Sequence, residues 1–202
     1  MKRLAVLLSG RGSNFLAIHD ACVSKALPAE IVCVISNKVD ARGVEKAREL
    51  GIPAFAFDHK QYPNRAAHEA EVIATLELHR PDFVILAGYM RLLSSAFVAR
   101  FRHRITNIHP SLLPSFPGVD AQKQAVEYGV KIAGCTVHLV DESLDGGPIL
   151  VQRTVPVLDG DTPDELAARI LGEEHGAYVE AIRKLCGGFR VEGRRVVFLL
   201  EP

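Results

Sequence analysis

Leu4-Ala5-Val6-Leu7-Leu8, followed directly by the turn Ser9-Gly10-Arg11-Gly12-Ser13-Asn14, is the stretch that decides the fold. The five apolar residues form a continuous run, which is typical of a central parallel strand covered on both faces. A helical pattern follows the turn, with Phe15, Leu16 and Cys22 on one side. A strand, a glycine turn and a helix start predict a βα unit, in which amide groups and the helix dipole can bind a phosphate.

The glycine turn also indicates which ligands this unit does not favour. Position 15 is Phe instead of the third glycine of Gly-x-Gly-x-x-Gly, and the turn has no Gly-Lys-Ser/Thr sequence. Both differences disfavour a dinucleotide or a nucleoside triphosphate and still allow a single phosphate group. The alternative is an ordinary βα turn in which Ser13 or Asn14 caps the helix.

Strands and helices alternate through the rest of the first half of the chain. The predicted elements are strands at 31–35, 54–57 and 82–88 and helices at about 40–50, 64–79 and 94–101. This alternation is typical of an α/β fold with a doubly wound, mostly parallel sheet and a Rossmann-like N-terminal half. Ligands of such sheets bind beyond the carboxyl ends of the strands.

The second half of the chain predicts antiparallel C-terminal strands and one long helix. The predicted elements are helix 121–128, strands 134–140 and 149–157, helix 162–186 and a hairpin formed by 189–192 and 194–200. Residues 134–140 alternate as a half-buried strand does, and Thr162-Pro163-Asp164-Glu165 is a strong helix start. We expect a single domain, 1–202, with a phosphate-binding βα half at 1–103 and a second half at 104–202.

Composition and charge narrow the classes of partner. The chain has 202 residues, 48% of them hydrophobic and 24% charged, and Lys+Arg and Asp+Glu both number 24. A globular protein of zero net charge gives no reason to expect a nucleic-acid partner or a membrane surface. The run 4–8 is shorter than a signal peptide requires, and the four scattered cysteines read as buried free thiols, so we expect a cytoplasmic protein.

The stretch with the clearest potential for chemistry is Thr106-Asn107-Ile108-His109-Pro110-Ser111-Leu112-Leu113-Pro114. Asn107 and His109 are two residues apart, so on an extended chain both side chains point to the same face. An amide donor and a side chain that titrates near neutrality can together stabilise an oxyanion and move a proton. The alternative is a polar strand end that makes local turn hydrogen bonds.

The acidic loop Asp141-Glu142-Ser143-Leu144-Asp145-Gly146-Gly147 allows two interpretations. It is not a calcium loop, because Gln152 stands where the twelfth-position Glu would be and strands flank it, and we expect no metal. It is either a solvated turn or the element that brings Asp145 to His109, where the carboxylate would orient the ring and favour its protonated form.

Together these residues resemble the folate-dependent glycinamide ribonucleotide transformylases of purine biosynthesis. The resemblance covers essentially the whole chain, and the formyltransferase fold is what it implies. The motifs that carry it are Ser9-Gly10-Arg11-Gly12-Ser13-Asn14, Ala87-Gly88-Tyr89-Met90-Arg91, Asn107-Ile108-His109-Pro110-Ser111-Leu112-Leu113-Pro114, and His138 with Asp145 seven residues later. The Asn-x-His-Pro-Ser-Leu-Leu-Pro string is shared by relatives, so it fixes formyl chemistry better than the acceptor.

The resemblance implies transfer of the formyl group of 10-formyltetrahydrofolate, the co-substrate, to the primary amine of glycinamide ribonucleotide. It implies catalytic roles for Asn107, His109 and Asp145, and substrate binding by Glu174. The substrate phosphate would be held by Gly12, Ser13 and Asn14. The residues implied to line the folate pocket are Arg65, Met90, Arg91, Leu92, Leu93, Asn107, Asp141, Glu142, Ser143 and Leu144.

Some questions stay open within this resemblance. The family often has a histidine within four residues of Gly118, where this chain has Val119-Asp120-Ala121-Gln122. We interpret His138 as a supporting residue rather than a catalyst. Hydrolysis of 10-formyltetrahydrofolate by a deformylase and a non-catalytic domain that binds a phosphorylated ligand are the alternative functions, and the protein is expected to be a monomer or a homodimer.

Overall fold

The computed structural model describes residues 1–199. The chain forms two compact units, the first comprising Met1–Asn107 and the second beginning at Ile108. The boundary falls inside a strand that starts in the first unit and ends in the second. Within residues 1–199, no helix combines the length and the apolar character that crossing a membrane requires.

The first unit alternates strands and helices in the predicted order. Its elements are β1 (Lys2–Leu8), α1 (Ser13–Val23), β2 (Ala29–Ser36), α2 (Arg42–Glu49), β3 (Ala54–Ala56), a 3₁₀ turn (His59–Gln61), α3 (Arg65–His79), β4 (Phe83–Leu86), α4 (Ser95–Arg100) and β5 (Ile105–His109). Its strands lie in the order β3-β2-β1-β4-β5, and neighbouring strands are parallel. The prediction of a mostly parallel α/β sheet is confirmed.

The central position of β1 follows from its sequence. All five residues of the apolar run 4–8 have no exposed surface, as do Ile35 of β2 and Ile85 of β4 on the two neighbouring strands. A strand that is covered on both faces needs apolar side chains on both, which is why the run does not alternate. The turn after β1 therefore lies at the carboxyl edge of the parallel strands, where such sheets bind ligands.

The second unit supplies the antiparallel strands that the sequence predicts. Its elements are α5 (Ala121–Tyr128), β6 (Ile132–Leu139), β7 (Ile149–Pro156), α6 (Pro163–Cys186), β8 (Phe189–Glu192) and β9 (Arg195–Phe198). β6 pairs antiparallel with β7, and β8 with β9. Thr162 and Glu165 form the expected capping box at the start of α6. The predicted end of the last hairpin, Leu200, lies outside the described residues.

Two sequence-based expectations about burial are wrong. β6 is not half-buried, because every residue from Ala133 to Leu139 is buried and its polar side chains have partners inside the unit. Cys33 and Cys135 are buried free thiols whose pKa burial raises to about 12. Cys22 and Cys186, by contrast, are free but only half-buried.

Candidate active site

His109 is positioned by β5, of which it is the last residue. β5 pairs with β4, so that Asn107 lies opposite Leu86. Ile105 and the Thr106 side chain are fully buried and fix the strand in the sheet. Since Asn107 and His109 are two residues apart on a strand, their side chains point to the same face. Strand geometry thus gives an amide and an imidazole the same face at the carboxyl end of β5.

Each nitrogen of the His109 ring faces an acceptor. Nε2 lies 2.9 Å from the backbone oxygen of Phe116. Nδ1 lies 3.5 Å from Oδ2 of Asp145. Only 7% of the His109 side chain is exposed, so water competes little with these contacts. The arrangement suits a ring that carries both N–H donors, which is the state that a general acid needs.

Asp145 is held in place from three directions. The backbone N–H of Gly118 donates to its Oδ2 at 2.8 Å. Its Oδ1 lies 3.9 Å from Nε2 of His138, and its side chain is 11% exposed. The residue itself is left-handed, with φ of 49°, which aspartate tolerates better than most residues. The carboxylate therefore sits between two imidazole rings, with a backbone amide fixing its orientation.

The two glycines after Asp145 allow the acidic loop to close tightly. A side chain at Gly146 would collide with Ser143, and one at Gly147 would collide with the backbone oxygen of Leu139. Inside the loop, the N–H of Ser143 donates to Oδ1 of Asp141 at 2.9 Å. The Asp141–Ser143 turn and the two glycines without side chains let the loop fold back so that Asp145 faces His109.

His138 contributes a neutral ring to this cluster. Its Nδ1 donates to the backbone oxygen of Leu139 at 2.9 Å, and the side chain is 3% exposed. Burial lowers the pKa of His138, although the Leu139 carbonyl and the Asp145 carboxylate act in the opposite direction. The ring therefore brings no positive charge to Asp145 near neutral pH, which leaves His109 as the ring that faces the carboxylate at the shorter distance.

The segment after His109 is anchored to β6 and β7 by a buried hydroxyl. Thr136 donates to the backbone oxygen of Ser111 at 2.7 Å and accepts from the N–H of Leu113 at 3.0 Å. Gln152 of β7 donates to both Thr136 Oγ1 and the Leu113 carbonyl. At Gly134 a side chain would collide with the backbone oxygen of Arg153. These contacts explain structurally why a polar residue and a glycine occur in a buried strand.

A pocket of about 360 Å³ adjoins this segment. It lies beside the backbone that carries His109 and Phe116, and none of the residues implied to bind folate lines it. The lining residues are Pro110, Ser111, Leu112, Ser115, Phe116, Ala125, Tyr128, Val130, Ile132 and Ala133.

The glycine turn of the first unit ends in a helix that no side chain caps. Gly12 is the N-cap of α1, with φ of 78°, and among the described residues no side chain makes a capping bond there. The alternative in which Ser13 or Asn14 caps the helix is therefore wrong; both lie in the first turn, with Ser13 half-buried and Asn14 7% exposed. An N-terminus with this geometry suits an anion.

The residues implied to bind folate and the nucleotide fall into three groups. In the first unit, Met90 and Leu92 are 78% and 62% exposed, Arg91 and Leu93 are half-buried, and Arg65 is exposed at the start of α3. In the second unit, residues 142–144 are exposed. Glu174 lies on α6 and is 8% exposed. Burial is the main cause of the raised pKa of Cys135, and the negative charge of Glu174 is the second cause.

Two contributors to the site could not be read from the sequence. Phe116 offers its carbonyl to His109, and Gly118 offers its N–H to Asp145. Both act through the backbone, so their side chains carry no signal, although Phe116 has φ of 53°, which is unusual for a bulky residue. Among residues 1–199, no group of three or more His, Cys, Asp or Glu side chains is placed to hold a metal ion.

Comparison with known proteins shows which proteins have a sequence similar to that of this chain. Residues 2–182 match the family described as Formyl transferase. The trifunctional purine biosynthetic protein adenosine-3 of Drosophila pseudoobscura pseudoobscura is 49% identical over 93% of this chain, which spans only 14% of that protein. The phosphoribosylglycinamide formyltransferase of Bacillus subtilis is 43% identical over 93% of this chain and 96% of its own length.

Solved structures of formyl-transferring and formyl-removing enzymes are similar to this chain as well. The glycinamide ribonucleotide transformylase 1 of Symbiobacterium toebii is 50% identical, with a TM-score of 0.96 over 98% of this chain and 94% of that one. A formyltetrahydrofolate deformylase from Pseudomonas syringae is 31% identical, with a TM-score of 0.90, and the match covers 65% of it. Because the family match covers most of the chain and a relative of similar length is 43% identical, this chain belongs to the formyl transferase family.

Proposed function

We propose that this protein transfers the formyl group of 10-formyltetrahydrofolate to the primary amine of glycinamide ribonucleotide. The observation that carries the proposal is the His109 ring at the end of β5, with Asp145 at Nδ1 and a carbonyl at Nε2. Similarity to a glycinamide ribonucleotide transformylase at 50% identity supports this acceptor over others.

The chemistry requires a donor for an oxyanion and a proton for a leaving amine. The substrate amine attacks the formyl carbon, its C–N bond forms, and the carbonyl oxygen takes the negative charge. Asn107 and His109 donate to that oxygen, and each preorganised donor of this kind is worth about 2.7–4 kcal/mol. When the intermediate collapses, the bond between the formyl carbon and N10 breaks, N10 gains a proton from His109, and the proton lost by the attacking amine restores the ring.

His109 must exchange one contact to act in this way. Its Nε2 is engaged by the Phe116 carbonyl, so the substrate oxygen has to replace that carbonyl as acceptor. Asp145 remains at Nδ1 during the exchange and keeps the ring oriented, because Gly118 fixes the carboxylate independently. The role of Asp145 is thus to hold the ring in its orientation while Nε2 changes partner.

The binding roles that we propose are those that the family resemblance implies. Gly12, Ser13 and Asn14 would hold the phosphate of the nucleotide at the N-terminus of α1, and Glu174 would bind the same substrate. Arg65, residues 90–93 and residues 141–144 would contact the folate. We further propose that the protein works in the cytoplasm as a monomer or a homodimer, without a metal.

One assay tests the proposal and separates it from its alternatives. The protein is incubated with 10-formyltetrahydrofolate, with and without glycinamide ribonucleotide, and tetrahydrofolate and formylated nucleotide are quantified. We expect equal amounts of both products, and only when the amine is present. Tetrahydrofolate formed without the amine would indicate a deformylase, the activity of the 31% identical structure. No turnover in either mixture would indicate a binding protein.

A further inference from the structure

The segment between β4 and α4 presents apolar side chains to solvent from a fixed backbone. Met90 is 78% exposed and Leu92 is 62% exposed, while Tyr89 beside them is 9% exposed. Exposed apolar side chains that lie close together can mark a surface that binds a ligand or a partner. If the backbone were mobile, ordering it would reduce the affinity for that ligand. The structure shows that both ends of this segment are tied to buried polar side chains.

The front end is tied by a chain of hydrogen bonds that begins at Met90. Its backbone N–H donates to Ser9 Oγ at 2.8 Å, and the Ser9 hydroxyl donates to Asn37 Oδ1 at 2.5 Å. Ser9 and Asn37 are 4% and 2% exposed. The Asn37 amide faces the His59 ring at 3.5 Å, and the same ring nitrogen lies 3.1 Å from the Asn37 carbonyl. The turn at Met90 therefore rests on Ser9, which directly follows β1, and on Asn37, which directly follows β2.

The rear end is tied by a carboxylate. Glu69 of α3 accepts the N–H of Ser94 at 2.9 Å through Oε1, and its Oε2 accepts the Ser94 hydroxyl. Ser94 is also the N-cap of α4, since its Oγ accepts from the N–H of Phe97 at 3.2 Å. Glu69 is only 6% exposed. A carboxylate so deeply buried is costly to desolvate, and these two bonds are what compensate it.

Holding α3 against α4 does not require this buried carboxylate. The same two helices are already joined at the surface, where Arg100 donates to Glu77 at 2.7 Å through Nε. Glu77 and Arg100 are 46% and 61% exposed, so their ion pair avoids most of the desolvation cost. Glu69, unlike Glu77, binds the backbone N–H of Ser94, where the exposed segment ends.

We infer that Glu69, together with the Ser9–Asn37 pair, positions residues 90–93 for the folate co-substrate. The inference rests on the proposed function, because it takes that segment to be a folate-binding one. None of the three side chains touches the reacting atoms, so they are positioning residues. Their effect is to hold the exposed Met90 and Leu92 in the bound conformation before the ligand arrives, which removes an ordering cost from folate binding and leaves the chemical step unchanged.

The test compares Glu69→Ala, Glu69→Gln and the matched control Glu77→Ala in steady-state kinetics. For Glu69→Ala we expect the KM for 10-formyltetrahydrofolate to rise about tenfold, as the loss of a hydrogen bond to a charged group predicts. The KM for glycinamide ribonucleotide and kcat should stay within about threefold. Glu69→Gln should restore most of the affinity, because its amide oxygen still accepts from Ser94, and Glu77→Ala should match the wild type.

Ser9→Ala keeps the test decisive if Glu69→Ala does not fold. It removes one hydroxyl and should raise the same KM by severalfold, with kcat unchanged. The inference is overturned if folded variants raise both KM values equally, lower only kcat, or behave like Glu77→Ala. If the wild type shows no formyl transfer, the proposed function fails separately, and the Kd of tetrahydrofolate measured by calorimetry for the same variants still decides whether Glu69 and Ser9 position a folate site.

Discussion

At the scale of single residues, the defining feature is the His109 ring with an acceptor at each nitrogen. Phe116 and Asp145 supply these acceptors from two different loops of the second unit. The carboxylate is itself held by Gly118, so it stays in place when Nε2 changes partner. In the proposed mechanism, Asp145 orients the ring at Nδ1, and Nε2 exchanges its acceptor so that it can donate a proton when the tetrahedral intermediate breaks down.

Asp145→Asn tests the orienting charge. The amide oxygen can still accept from Gly118, but no negative charge then lies 3.5 Å from the ring. We expect kcat to fall by at least about tenfold, or ~1.4 kcal/mol of transition-state stabilisation. Steady-state kinetics with both substrates saturating measure the loss, and a kcat equal to that of the wild type would rule out the pairing.

The sequence could predict these residues only where side chains carry the chemistry. Asn107 and His109 share a face because strand geometry has a period of two, and that placement follows from spacing alone. The acidic loop leaves two interpretations open, a solvated turn or a loop that brings Asp145 to His109, 36 positions earlier in the chain, and the family resemblance favours the second. The carbonyl of Phe116 and the amide of Gly118 were unpredictable, since every residue has such groups.

At the scale of secondary-structure elements, β6 supports the segment that follows His109, residues 110–113. Its polar residues point into the unit, where Thr136 bonds three partners and His138 faces Asp145. The alternation of polar and apolar residues in β6 predicts a half-buried strand, but its polar face is buried as well. Pattern alone cannot distinguish a polar side chain in water from one that is buried with its partners.

Thr136→Val measures how much this support stabilises the protein. Valine matches the shape of threonine, so the loss is that of the hydroxyl and of the buried groups it leaves unpaired at Ser111 and Leu113. We expect the free energy of unfolding to fall by about 1–3 kcal/mol. Thr154→Val on neighbouring β7, where the side chain is exposed, is the matched control and should change stability by less than about 0.5 kcal/mol. Urea titrations of both variants give the comparison; equal effects would contradict it.

The glycine turn 9–14, which we propose to hold the substrate phosphate, is supported by α2. The N–H of Gly43 donates to the Gly10 carbonyl at 3.0 Å, and a side chain on Gly12 would meet the Gly43 Cα at 3.0 Å. A Cβ on Gly43 would lie 2.6 Å from Leu8 and 3.3 Å from the Gly10 oxygen. Gly43 thus lets the helix lie directly against the turn.

Gly43→Ala should therefore disturb the turn although alanine favours helices. We expect the KM for glycinamide ribonucleotide to rise about tenfold or more, with little change in the KM for the folate. The same substitution at Gly172 in α6, where the added Cβ would meet no atom of residues 1–199 within 4 Å, should instead stabilise the protein by about 0.5–1 kcal/mol. Kinetics and thermal unfolding of the pair distinguish a packing effect from helix propensity, and equal behaviour would count against the support.

At the scale of the whole molecule, stability depends on histidines that are buried without charge. His68 is 1% exposed, its Nε2 donates to the Phe57 carbonyl at 3.0 Å, and within residues 1–199 its Nδ1 has no hydrogen-bond partner. Burial lowers the pKa of His68, as it does that of His138. Protonation would place an unpaired charged donor inside the protein. The unfolded chain therefore takes up a proton before the folded one does.

The sign of the pH dependence follows from these lowered pKa values. Above the unfolded pKa of about 6.5, neither state is protonated and stability does not change. Below it, stability falls until the pH reaches the folded pKa, by at most about 1.4 kcal/mol per pH unit for each histidine. His68→Gln keeps a donor for Phe57 and should flatten the decline between pH 6.5 and 5. His103→Asn, at an exposed histidine, is the control and should leave the decline unchanged. Urea unfolding of both variants at each pH measures the effect, and the same decline in both would refute the role of His68.

The most direct test of formyl transfer by His109 is the His109→Ala variant, assayed for kcat with both substrates saturating and for the Kd of tetrahydrofolate by calorimetry. We expect kcat to fall by about 10²–10³, the loss typical of a removed oxyanion donor, while the Kd changes by less than about threefold. A kcat near that of the wild type would contradict the mechanism, and so would a loss that lies entirely in binding.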